Sequence, residues 1–202
     1  MKKTIKWLVP ILILTTISCS YFTRRTLSPD EYFLYVTNPE NGLVQKASDD
    51  LYSYELQYMP PEELAFISSK GSSDIKSDYE KYLAEPSNNL TFKLKIFSTD
   101  KQTDPLEFKS GNSDEQFQRL GYFTSAISED GLLVFDKDTL TCKLAMLERT
   151  YKTSPYLTIL FQFDNSKSIS KDFNFILDNK VSGVKNIFKY KISDLNTPKI
   201  KI

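Results

Sequence analysis

The chain has two cysteines and no histidine among its 202 residues, which narrows the chemistry it can perform. Without histidine there is no Ser-His-Asp triad, no Cys-His pair and no imidazole ligand for zinc. The six glycines form no phosphate-binding loop, and no Gly-x-Ser-x-Gly motif is present. The sequence therefore predicts no catalytic residue, no metal site and no cofactor.

The 26 acidic residues leave one type of catalysis open. Two carboxylates that flank a scissile bond are sufficient for a glycosidase, but spacing along the chain selects no pair among so many acids. Asp136-Lys137-Asp138 lacks the glycine and the distal glutamate of an EF-hand, so it predicts a hairpin turn. Glu148 and Arg149 are compatible with a buried ion pair and with an exposed contact, and the sequence does not choose between them.

Aromatic and sulfur side chains are expected mainly in the core. Tyr52, Tyr54 and Tyr58 alternate with polar residues, as in a strand that packs one face against a core, although exposed tyrosines at this spacing would suit a sugar-binding face. Cys142 lies on the apolar side of the alternating stretch Leu140-Thr141-Cys142-Lys143-Leu144. We therefore expect a buried, inert cysteine rather than a catalytic thiol.

The other cysteine, Cys19, ends an apolar run at the start of the chain. Residues 1–6 carry three positive charges and no acid, residues 7–17 are mostly apolar, and Ser18 and Cys19 follow. A basic region, a short apolar region and small residues at its end indicate an export signal. Eleven residues interrupted by Pro10 are too few to span a bilayer, which takes about 20.

Thr16-Ile17-Ser18-Cys19 resembles the lipobox of bacterial lipoproteins. The resemblance implies that the sulfur of Cys19 carries a diacylglyceryl group and that the chain is cut between Ser18 and Cys19. Thr16 departs from the pattern, in which leucine usually stands at this place. Ordinary secretion with cleavage at the same bond is the alternative, and it would leave a bare N-terminal thiol. Attached acyl chains anchor a protein because each buried CH₂ contributes about 0.8 kcal/mol.

This interpretation divides the chain into three parts. Residues 1–18 are the lipoprotein signal peptide, residues 19–28 are the lipidated cysteine and a tether, and residues 29–202 are one domain. Removing the signal removes three of the 26 basic residues and no acid, so 23 basic residues face 26 acidic ones. A weakly acidic domain offers no basic field to nucleic acid. A domain of about 174 residues can build a core without disulfides.

The domain is predicted to be α+β and rich in antiparallel strands, with three to four short helices in its N-terminal part. Ser28-Pro29-Asp30-Glu31 is a capping box that begins a helix. The alternation in residues 43–47 and 52–58 predicts a hairpin. Residues 113–127 predict a helix with one apolar side, formed by Phe117, Leu120, Phe123 and Ile127. From Gly131 onward short strands follow one another, which is typical of a sandwich-like C-terminal half.

Three stretches, NPENGLVQK, YELQYMPPEE and KDTLTCKLAMLERTYKTSPY, together resemble a group of uncharacterised lipoproteins from Bacteroidota. The resemblance implies a lipid anchor and a single domain, and it brings no activity with it. In that phylum, acidic residues just after the lipidated cysteine usually accompany surface display, and residues 20–24 contain none. The resemblance therefore implies an outer-membrane lipoprotein that faces the periplasm.

These observations favour a membrane-tethered interaction or scaffold module whose partner is another envelope protein. A tethered hydrolase that uses carboxylates and a glycan-binding lipoprotein are the alternatives. An exposed pair of acids in a deep cleft would favour the hydrolase, and a flat aromatic patch would favour the glycan binder. The sequence points to no nucleic-acid partner and identifies no small-molecule ligand.

Overall fold

The structure is a computed structural model that describes residues 25–85, 89–148, 154–164 and 170–202. The export segment, Ser18, Cys19 and Arg149 lie outside these ranges. In chain order the elements are β1 (Thr26–Leu27), α1 (Pro29–Thr37), β2 (Val44–Ser48), β3 (Tyr52–Met59), α2 (Pro61–Ser69), α3 (Ile75–Ala84), β4 (Asn89–Ser98), α4 (Ser113–Gly121), a π-helical turn (Tyr122–Ala126), α5 (Ile127–Asp130), β5 (Gly131–Phe135), β6 (Asp138–Glu148), β7 (Tyr156–Asp164), β8 (Phe173–Asn179), β9 (Val184–Tyr190) and β10 (Lys199–Ile200).

Eight antiparallel strands form one sheet in the order β2-β3-β4-β7-β6-β5-β8-β9. The sheet curves until its two outer strands, β2 and β9, come into contact, so it is nearly closed like a barrel. β1 and β10 form a separate parallel pair. The prediction of a β-rich α+β domain with antiparallel strands is confirmed. The strands of the C-terminal half share this one sheet with the N-terminal hairpin.

Aromatic side chains fill the inside of the curved sheet. Tyr52, Tyr54 and Tyr58 of β3 point inward and are each 7% exposed or less. They meet the inward side of β4, where Phe92 lies opposite Tyr58. The ring centroid of Phe92 is 5.3 Å from that of Phe175 on β8, in an edge-to-face arrangement. The tyrosine series therefore packs the core, as predicted, and such pairs add about 0.5–1.5 kcal/mol beyond the area that they bury.

Hydrogen bonds made by side chains link the two ends of the sheet where β2 approaches β9, and we call this region the seam. The Tyr54 hydroxyl donates to Oδ2 of Asp49 at 2.6 Å and accepts from Nδ2 of Asn179 at 2.9 Å. The Tyr190 hydroxyl of β9 donates to the carbonyl oxygen of Leu56 on β3 at 2.7 Å. These bonds join the first hairpin of the sheet to its last one. They stabilise the closure of the sheet between β2 and β9, its two outer strands.

The predicted apolar side of the helix from residue 113 is only partly correct. Phe123 and Ile127 are fully buried, and the Phe123 ring lies 6.0 Å from that of Tyr52 at one end of the sheet. Phe117 is 71% exposed and Leu120 is 38% exposed. The π-helical turn begins after Leu120 and contains Phe123. It explains the difference, because an inserted residue rotates the following positions by about 100° around the helix axis.

The first helix begins as predicted. The Glu31 amide donates to Oγ of Ser28 at 3.5 Å, and the Ser28 amide donates to Oε2 of Glu31 at 3.0 Å, which completes the capping box. Thr26 and Leu27, within the stretch assigned to the tether, pair with Lys199 and Ile200. Leu27 is 6% exposed, so its burial places these two residues in the folded domain.

Candidate binding surfaces

Cys142 has the environment of a structural thiol. It lies on the inward side of β6, opposite Phe163, and is half-buried against the core. Its Sγ is 3.6 Å from the carbonyl oxygen of Gln162. Burial raises the pKa of the Cys142 thiol, although its contacts with the backbone of Gln162 and Leu144 oppose this. A thiol that keeps its proton at neutral pH is a weak nucleophile. Cys142 is on the inward side of its strand, as predicted, but it is half-buried rather than buried.

Glu63 is a buried carboxylate that the sequence did not single out. It is 1% exposed on α2 and lies over the outer side of β3 and β4. Gln57 Nε2 donates to its two oxygens at 3.0 and 3.3 Å, and Lys93 Nζ lies 3.6 Å from Oε1. Burial raises the pKa of Glu63, and the charge of Lys93 partly offsets this.

A raised carboxyl pKa is one mark of a general acid, and this feature makes Glu63 a candidate for the hydrolase alternative. The cleft beside Gln57 and Lys93 has a volume of only about 60 Å³. That space admits water but no sugar ring or peptide. The three side chains therefore act together to attach α2 to the outside of the sheet.

An exposed apolar surface covers the outer side of strands β5 to β9. Leu144 and Met146 of β6 are each 50% exposed, and Ile187 of β9 is 51% exposed. Strand pairing arranges them in two neighbouring groups. Met146 lies opposite Leu160, and Ile176 lies between Leu132 and Ile187. The residue of β6 opposite Leu132 is Thr141. We call this surface the apolar face, and it consists of Leu132, Leu144, Met146, Leu160, Ile176 and Ile187.

Strand β6 carries a sequence signal for the apolar face. Residues 144–147 are four consecutive apolar residues, and a strand apolar at every position has two apolar sides. Ala145 and Leu147 point inward, opposite Phe161 and Ile159. The pairing of β6 with β7 shifts between Cys142 and Leu144. This bulge turns Leu144 outward, whereas regular alternation would put it on the same side as Cys142.

A groove marks the opposite part of the outer surface, on β2, β3 and β4. Its volume is about 370 Å³. Phe97 of β4 is opposite Tyr156 of β7, with ring centroids 5.0 Å apart. Lys95 Nζ lies 5.1 Å from the centroid of the Tyr156 ring. We call this site the basic groove, and it is lined by Lys46, Ala47, Ser48, Ser53, Tyr54, Glu55, Phe97 and Lys101.

No family model, no curated protein and no solved structure matches the chain. Within the four described ranges, no group of three or more His, Cys, Asp and Glu side chains is placed to hold a metal ion. None of the helices in those ranges is both long and apolar enough to cross a membrane.

Proposed function

We propose that the protein is a lipid-anchored lipoprotein of the cell envelope that acts as a protein-interaction or scaffold module. The apolar face is the observation that carries the proposal. Apolar surface costs about 25 cal/mol per Å² when it stays in water, and a contiguous exposed patch is typical of a site that a partner covers.

The partner that fits this surface is an envelope protein with an apolar patch and an acidic border. Lys143, Lys185 and Lys189 are exposed on the strands that carry the apolar face. Opposite charges around an apolar centre orient a partner and increase its rate of association. The proposal therefore combines burial of the apolar face with ion pairs at its border.

The proposed anchor keeps the domain close to the membrane. Cys19 and the first strand residue, Thr26, are seven residue steps apart, which span at most about 25 Å when fully extended. An outer-membrane lipoprotein facing the periplasm would therefore meet partners that lie at or near that membrane.

The carboxylate-dependent hydrolase remains the alternative for catalysis. Glu63 gives the hydrolase little support, because its carboxylate oxygens already contact Gln57 and Lys93 and the neighbouring cleft is small. A purified protein that hydrolyses a glycan or a peptide, and loses this activity on substitution of one Asp or Glu, would contradict the scaffold proposal.

Crosslinking in intact cells tests the apolar face directly. Met146→Glu and Ile187→Glu should each abolish a crosslinked complex that the wild type forms with an envelope protein, because a charge replaces apolar contact. Phe117→Glu is the matched control, since Phe117 is also exposed but lies on α4. Mass spectrometry identifies the complex, and circular dichroism checks that each variant is folded. Complexes that persist in both face variants would overturn the proposal.

A further inference from the structure

The basic groove has the chemistry of a ligand site that is separate from the apolar face. Its volume of about 370 Å³ lies within the range of about 300–1,000 Å³ that is usual for small-molecule sites. It is open to solvent on the outer side of β2, β3 and β4, and its lining mixes hydroxyl, charged and aromatic side chains. Such a lining suits a ligand that is both polar and flat-sided.

Phe97 lines the groove, and the Tyr156 ring lies beside Phe97 but outside the lining. Phe97 and Tyr156 are half-buried on the outer side of neighbouring strands, so part of each ring faces solvent. The face of an aromatic ring is negative and its edge is positive. The weakly positive C–H groups on one side of a pyranose ring therefore stack well on the face of Phe97. The Lys95 ammonium group already lies over the Tyr156 ring, 5.1 Å from its centroid.

Hydroxyl groups lie directly beside the Phe97 ring, because Ser53 is the partner of Phe97 in the pairing of β3 with β4. Ser48 and Ser53 are direct partners in the pairing of β2 with β3, so their side chains lie side by side on the outer surface. Each hydroxyl both donates and accepts hydrogen bonds, which matches the donors and acceptors of sugar hydroxyls.

Positive charge distinguishes the groove from a site for neutral sugars. Lys46, Lys101 and one acid, Glu55, line it, and Lys95 lies beside it as the direct partner of Glu55 in the pairing of β3 with β4. Lys46 Nζ is 2.8 Å from Oε1 of Glu55, so that pair is neutral as a unit. Lys95 and Lys101 remain as two further positive charges, which favours a ligand with a carboxylate or sulfate group.

The loop that presents Lys101 is held in one conformation. Lys101 has φ of 58°, a left-handed conformation that is uncommon for lysine. The neighbouring Asp100 accepts hydrogen bonds from the Thr103 hydroxyl at 2.6 Å and from the Gln102 amide at 2.9 Å. The Asp100 carboxylate therefore makes its hydrogen bonds within the loop, and the loop holds Lys101 at the rim of the groove.

From this arrangement we infer that the basic groove binds an acidic oligosaccharide, with one sugar ring stacked on Phe97 and its acidic group held by Lys101 and Lys95. The inference does not depend on the partner proposed for the apolar face. It concerns binding alone and includes no chemical step.

Titration calorimetry of the full-length protein in detergent tests the inference. The probes are a galacturonic acid hexamer, a heparin hexasaccharide and maltohexaose, the last being neutral. At least one acidic probe should bind about tenfold more tightly than maltohexaose, and its affinity should fall as salt is added. Absence of binding by both acidic probes at about 1 mM would overturn the inference. Equal affinity for single-stranded DNA would overturn it too, because general attraction of polyanions would then explain the result.

Variants locate the site. Phe97→Ala and Lys101→Asn should each weaken binding of the acidic probe by about tenfold. Asparagine tolerates a positive φ better than lysine does, so Lys101→Asn removes the charge without straining the loop. Phe117→Ala removes an exposed ring on α4 and should leave the affinity unchanged. Unchanged affinity in Lys101→Asn, with the fold confirmed by thermal unfolding, would place the ligand elsewhere.

Discussion

At the scale of single residues, the space around a side chain decides whether it can contact a ligand or only stabilise the fold. Glu63 and Cys142 both have raised pKa values caused by burial. Neither faces a cleft that can hold a substrate, since Glu63 is covered by Gln57 and Lys93 and Cys142 faces the core. Lys101 and Phe97 show the opposite situation, because they are open to a groove of useful size.

Glu63→Gln should change how the free energy of unfolding depends on pH. Burial raises the pKa of Glu63 above 4.5, its ordinary value, so below about pH 4.5 the carboxyl is protonated in both the folded and the unfolded state. As the pH rises through the folded-state pKa, the folded protein holds a proton that the unfolded chain has already released, and the stability that this group contributes is lost. Urea unfolding between pH 4 and neutrality measures the effect.

The wild type should therefore lose stability relative to Glu63→Gln as the pH rises above 4.5. A difference between the two proteins that stays constant over this range would show that Glu63 ionises as easily in the fold as in the unfolded chain.

At the scale of elements, two local irregularities decide which side chains reach the surface. The π-helical turn at Tyr122–Ala126 leaves Phe117 outside while it buries Phe123. The bulge in β6 turns Leu144 outward and adds it to the apolar face. Both features shift the register by about one residue, and in a strand a shift of one residue exchanges the two faces.

Tyr54→Phe should loosen the seam between the first and last hairpins. The change leaves the buried Nδ2 of Asn179 without its acceptor and removes one donor from Asp49. An unsatisfied buried polar group costs about 1–3 kcal/mol, so the free energy of unfolding in urea should fall by that amount.

Tyr82→Phe is the matched control for the seam. Tyr82 is 39% exposed on α3, so loss of its hydroxyl should change the free energy of unfolding by no more than about 0.5 kcal/mol. Equal effects of the two substitutions would mean that the Tyr54 network does not stabilise the closure.

At the scale of the whole molecule, the proposed anchor and the fold limit where the protein can act. Thr26 and Leu27 pair with β10 directly after the six-residue connection to Cys19. A lipid on Cys19, as proposed, would therefore leave the domain little freedom to move away from the membrane. Its two exposed surfaces, the apolar face and the basic groove, lie on different parts of the outer side of one sheet, so both can be occupied at once.

Cys19→Ala should move the protein from the membrane fraction to a soluble or uncleaved form. The reason is that alanine has no sulfur to carry the diacylglyceryl group. Metabolic labelling with a fatty acid should mark the wild type and leave the variant unlabelled, and cell fractionation should show the change in location. Equal labelling of the two proteins would contradict lipidation at Cys19.

The sequence by itself determined the elements that depend on neighbouring residues. Ser28 and Glu31 form a capping box because the groups that bond are three residues apart. The alternation in β2 and β3 and the turn at Asp136–Asp138 were predictable for the same reason. The absence of histidine limited the possible catalysis before any fold was known.

Only the tertiary structure decided the strand order, the apolar face and the basic groove. β4 pairs with β7, and β5 pairs with β8, across segments that are distant in the sequence. Ile176 and Leu132 become neighbours through that pairing, and Phe97 meets Tyr156 in the same way. Such contacts depend on register between separate strands, which a local pattern does not specify because the same alternation is satisfied by many pairings.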